Sequence, residues 1–146
     1  MNESDVAALV REQTDEWEAL TAILDAYPSE SLHDPETPEW TSRDVYAHLA
    51  RWMQFSLDNF KGFLDGQEVH DLGTSADEMN ARWKMEDSHL SLDEARILAQ
   101  TTFERWLEGI KSVPSERWND EFVKFVCIDG SYHYRTHRSY IVAGGF

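Results

Sequence analysis

The stretch Thr41-Ser42-Arg43-Asp44-Val45-Tyr46-Ala47-His48-Leu49-Ala50-Arg51-Trp52 carries both a helix start and one face of that helix. Thr41 with Asp44 three positions on has the spacing of a capping box, with Asp in place of the usual Glu or Gln. Val45, His48, Leu49, Trp52, Ser56, Asn59, Phe60 and Phe63 then recur at helical intervals on one face, and Gly66 closes the segment. The stripe sets an imidazole among apolar side chains, where a ring nitrogen without a partner is costly. His48 is thus either a core histidine satisfied by a neighbour or a ligand.

Helical periodicity continues on both sides. Val6, Leu9, Val10, Trp17, Leu20, Leu24 and Tyr27 predict a helix over about 4–27, capped by Ser4 or Asn2 and ended at Pro28. Residues 28–40, with Pro28, Pro35 and Pro38, read as a surface loop. A polar connection over 66–74 leads to a short helix at about 75–86 carrying Met79, Asn80 and Trp83. Ser91 with Glu94 forms a second capping box. It opens a helix over 92–112 whose buried stripe is Leu92, Ala95, Leu98, Ala99, Thr102, Phe103, Trp106 and Ile110. Phe122, Phe125, Val126 and Ile128 are apolar without clean periodicity, and Asp129-Gly130 reads as a break before a last helix over about 131–143. Four long helical segments without a strand pair predict an all-α four-helix bundle, one domain over 1–146, with long crossover connections at 28–40 and 113–130.

Composition narrows the functions. A chain of 146 residues suits one domain, and the single Cys127 excludes an internal disulfide and fits a reducing compartment. No apolar run approaches the ~20 residues of a membrane span, and the polar, acidic start resembles neither a signal nor a transit peptide, so a cytoplasmic protein is expected. The net charge of −15, with Arg135 and Arg138 as the one basic cluster, argues against nucleic acid and anionic membranes as partners. Six tryptophans point to aromatic packing or to the lining of a pocket.

His133-Tyr134-Arg135-Thr136-His137 sets two imidazoles at i and i+4, with Cβ atoms ~5–6 Å apart on a helix. From there two rings reach one ion at ~2.0–2.1 Å each, and His48 from the second helix would complete a three-histidine site with a position left for water or substrate. The plainer reading is a chance spacing among six histidines on a solvated terminal helix flanked by Arg135 and Arg138. Coordination requires neutral imidazole, so metal-derived stability is expected to fade from about pH 6.5 towards 5. His33, His70 and His89 receive no role. Asp44, on the His48 face, is a helix-start charge or a general base. Trp52 and Trp83 are core or pocket wall, and Tyr134 is core or a proton donor.

The run Trp40-Thr41-Ser42-Arg43-Asp44-Val45-Tyr46-Ala47-His48-Leu49, followed by Trp52, resembles a signature of the DinB-like (YfiT-like) superfamily, closest to its ClbS/DfsB branch. His133-Tyr134-x-x-His137 is similar to that branch's last-helix motif, and Asn80 to a recurrent asparagine ahead of the third long helix. The resemblance implies a DinB-like bundle in which His48, His133 and His137 bind a divalent metal, Zn or Ni. It implies metal-assisted chemistry on a small electrophile in stress or detoxification: either transfer of a low-molecular-weight thiol, or hydrolysis such as the ClbS relatives perform on a cyclopropane-bearing genotoxin. It also implies a homodimer. The chain stops soon after His137, so little cover is expected at that end of the site. A bundle that binds a small molecule or protein without catalysis is the alternative.

Overall fold

Each of the first five helices begins on a capping side chain. In the computed structural model, which describes residues 1–32, 34, 37–67 and 73–143, α1 spans Glu3–Ala26 and opens on Asn2, whose side chain accepts from Asp5 N–H at 2.9 Å. Helix α2, Ser42–Leu64, opens on the box in which Thr41 N–H donates to Asp44 at 3.0 Å. Helix α3, Ala76–Glu86, is capped by Ser75, and α4, Leu92–Ser112, by Ser91 with Glu94. Asn119 caps α5, Asp120–Asp129; one residue, Gly130, separates it from α6, Ser131–Ala143. Gly66 ends the α2 region at φ 79°, a left-handed conformation that glycine adopts without penalty. The described residues contain no strand, and no described helix is long and apolar enough to cross a membrane.

The segment 113–130 is therefore more than a crossover. It holds a 3₁₀ turn, Ser115–Arg117, and α5. The apolar residues of α5 hide its period because it is covered from more than one side. Phe122 meets Phe60 of α2 and Trp118, Phe125 stacks on Phe63 at 4.5 Å, and Cys127 meets Gln13 of α1. Ile128 remains half exposed. Such a wide apolar surface has no single stripe.

A second aromatic knot fixes the opposite half of the bundle. Trp17 of α1 stacks on Phe103 of α4 with centroids 4.6 Å apart, and Tyr134 of α6 meets the Trp17 ring edge-on at 5.2 Å. The Tyr134 hydroxyl reaches Met53 Sδ of α2 at 3.0 Å, so residues of α1, α2, α4 and α6 meet at one point. Tyr134 is completely buried. Its neighbour His133 projects about 100° further round the helix, so anchoring Tyr134 sets the rotation of α6 that delivers His133 to α2. On the outer side, Glu16 of α1 binds Arg135 at 3.2 Å and Arg138 at 2.8 Å, so the one basic cluster is spent on ion pairs within the bundle.

Leu98 departs from the expected stripe of α4. It is 39% exposed, whereas Ala95, Ala99, Thr102, Phe103, Trp106 and Ile110 are buried. Because it lies at the edge of the contact face, Leu98→Gln should cost about 0.5 kcal/mol or less in urea unfolding. A loss above about 2 kcal/mol would show that this side chain is covered in solution.

Candidate metal centre

His48 lies in the second turn of α2, between buried Val45 and the half-buried Trp52, and His133 and His137 lie one turn apart on α6. The three rings converge. His133 Nε2 stands 3.0 Å from His48 Nε2 and 2.9 Å from His137 Nε2, and one ligand atom from each ring lies within 4.8 Å of the others. Two nitrogens bound to one ion at about 2.0–2.1 Å and a tetrahedral angle would be about 3.3 Å apart. The observed separations need open by only a few tenths of an ångström to meet that geometry.

An outer contact fixes the His137 ring. His137 Nδ1 is hydrogen bonded to the Tyr140 hydroxyl, which is in turn bonded to the Asp34 carboxylate. Burial, with that carboxylate, holds the Tyr140 hydroxyl protonated and above its ordinary range. It is therefore a donor to Asp34 and an acceptor from His137 Nδ1–H, leaving the His137 Nε2 lone pair for the centre. This is the outer arrangement by which proteins fix the tautomer of a ligating imidazole. Asn80 supports the His48 ring and accepts from Trp52 Nε1 at 2.8 Å. His133 Nδ1 is buried without a hydrogen-bond partner. Three neutral imidazoles whose Nε2 atoms converge are a donor set suited to a divalent cation.

Burial keeps the rings neutral. It lowers His133 to about 4, and it pushes His48 and His137 well below the ordinary histidine value, with repulsion from neighbouring imidazoles adding to it. Proton competition at this site therefore begins at more acidic pH than the ordinary value of about 6.5 implies.

A cavity of about 1430 Å³ runs over the triad. Its walls come from the segment before α2 (Asp34, Trp40), from α3 (Asp77, Asn80) and from Asp129 and Tyr140. Residues of α6 itself, Thr136, Ser139 and Tyr140, complete the lining on that side. Trp40 is buried and meets the His48 ring edge-on at 5.1 Å. Lys84 is a cation in a lining that holds four carboxylates, Asp34, Glu39, Asp77 and Asp129.

The remaining residues singled out in the sequence fall elsewhere. Asp44 is buried in the α2 cap and paired with Arg43 at 2.7 Å, outside the large cavity. Trp52 lines the cavity, while Trp83 packs behind it at 5.0 Å and borders a small adjoining pocket. The Tyr134 hydroxyl faces Met53, so this residue anchors the core and gives no proton to the site. His89 is exposed against Glu86 O, and His33 and His70 lie outside the described residues. Asp129, Tyr140 and Asp34 were missed. Tyr140 follows His137 by three positions and Asp129 precedes His133 by four, a spacing hidden by the break at Gly130.

No curated protein and no solved structure matches the chain. The family model of the DinB superfamily matches residues 13–142, a span that contains all three histidines and four of the six helices entire. The helical fold and this match agree: the chain belongs to the DinB superfamily.

Proposed function

We propose that His48, His133 and His137 bind one divalent metal ion, zinc or nickel, and that the centre activates a thiol or water for attack on a small electrophile, as in the ClbS/DfsB branch. The observation that carries this reading is the convergence of three neutral Nε2 atoms beneath a large cavity. When bound, the ion supplies a Lewis acid that lowers the pKa of the nucleophile. The chain's own contribution is to hold the rings neutral by burial, to fix the His137 tautomer through Tyr140 and Asp34, and to offer Trp40 and Trp52 as walls for an apolar body. The acid-rich lining favours a neutral or cationic electrophile and disfavours an anionic thiol.

Metal analysis of tag-free protein, with thermal melts across pH, tests the site. Each buried imidazole has a folded pKa below its unfolded value near 6.5, so the unfolded chain binds more protons between those values and metal-free stability falls as pH drops through that window. Metal affinity of the folded protein should nevertheless persist through pH 6 and fail towards about 4, where His133 takes a proton. Loss of the metal-induced gain already at pH 6 would count against rings held neutral by burial. Equal melting temperatures with and without zinc and nickel at pH 7 would remove the metal reading.

A further inference from the structure

We propose that Asp129 is the proton acceptor of this site: its carboxylate takes the proton from a protic nucleophile, water or a thiol, held beside the three imidazoles. This rests on the metal reading above and names the base that reading requires. In the step, the O–H or S–H bond breaks and its electron pair stays on oxygen or sulfur. The proton moves to an Asp129 oxygen, giving a neutral carboxylic acid that later releases it to solvent.

Placement is the first argument. Asp129 ends α5 one turn before His133, and its side chain lines the cavity that His48, His133 and His137 line. It is not one of the ligand atoms that converge within 4.8 Å. The second argument is orientation. Ser56, completely buried two turns beyond His48 on α2, donates its hydroxyl to Asp129 Oδ2. One oxygen is thereby held, and the other carries no hydrogen bond among the described residues.

Charge supplies the third argument. No cation pairs with Asp129 among the described residues; Ser56 of α2 and the Tyr134 hydroxyl of α6 are its neutral surroundings, and the Tyr134 proton is directed at Met53. A shielded carboxylate without a cation is costly when ionised. Burial raises it to about 6, although the Ser56 hydrogen bond acts in the opposite direction. A base poised near neutrality is suited to proton transfer. The other cavity carboxylates differ: Glu39 and Asp77 are exposed, and Asp34 is engaged by Thr37 and Tyr140.

Zinc alone is the probe. Protein carrying carbon-13 aspartate is titrated by NMR with and without zinc, and Asp129→Asn assigns the resonance by deleting it. The Asp129 midpoint should stand near 6 without zinc and fall by at least about one unit with it, because a cation one small molecule away favours the charged form. Zinc affinity of Asp129→Asn should fall by no more than about tenfold, as for an outer-shell partner. Ser56→Ala should raise the zinc-free midpoint. Zinc binding that leaves the wild-type midpoint unmoved would overturn the assignment and leave the metal centre standing, as would an Asp129→Asn loss as large as that of a histidine variant. Absence of zinc binding to the wild type would overturn both.

Discussion

Alanine at any one of His48, His133 or His137 should abolish tight metal binding, lowering zinc affinity by at least about a hundredfold at each position. His133 stands between the other two rings, at 3.0 and 2.9 Å, so its removal leaves His48 and His137 without the shared centre. His48 and His137 come from different helices, so losing either His48 or the α6 pair unties α2 from α6. At a hundredfold excess over Kd, metal stabilises the wild-type fold by about 2.7 kcal/mol, or on the order of 5–10 °C in a chain of this size. The three variants should lose that gain together. Their metal-free melts separate loss of the site from loss of the fold. A His48→Ala protein that binds zinc normally would return His48 to the core and reduce the motif on α6 to a spacing. Tyr140→Phe is the graded companion: it removes the acceptor for His137 Nδ1–H while keeping the ring in place, so affinity should fall about tenfold.

The triad was readable because each of its members obeys a helical rule. His48 interrupts an apolar stripe, and His133 and His137 share a face by i, i+4 spacing. The rotation that brings those faces together was not readable, since it depends on Tyr134 meeting Trp17, Phe103 and Met53 from three other helices. The cavity wall is of the same kind: Trp40 reaches His48 from a proline-rich connection whose path no periodicity describes. Local pattern fails again at α5. The helix is covered from several sides, so six apolar residues from Phe122 to Ile128 present no stripe, although Asn119 held the capping signal. Leu98 errs in the other direction, an apolar residue at a permitted position that packing leaves at the surface. Asp129 was obscured for a different reason. A glycine that truly breaks the helix stands between it and His133, and tertiary packing restores the juxtaposition that the break conceals.

Gly130→Ala should be among the most damaging single-methyl additions in the protein, costing about 2–5 kcal/mol. A Cβ at this position would lie 2.1 Å from Gln13 Oε1 and 2.9 Å from the Val126 carbonyl oxygen. Neither can yield cheaply. The Val126 oxygen is backbone, and Gln13 is completely buried with both ends of its amide committed. Gln13 Oε1 accepts from Ser131 N–H at 2.8 Å, while its Nε2 donates to Ser131 Oγ at 3.0 Å. Overpacking alone costs about 1–3 kcal/mol. Displacing the amide also leaves a first-turn N–H of α6 unpaired in the interior, at about 1–3 kcal/mol. Total stability is typically about 5–15 kcal/mol, so the variant should unfold at visibly lower urea. The junction also aims α6, three residues before His133, so zinc affinity should fall with stability although no ligand is touched. Gln13→Ala makes room for the methyl but forfeits the same hydrogen bonds. The double variant should therefore cost less than the two single losses added, with a coupling of about 0.5–3 kcal/mol. Additive losses, or a Gly130→Ala protein within 1 kcal/mol of wild type, would mean that Gln13 does not hold the α5–α6 junction, and that the position of His133 is set from the Tyr134 side alone.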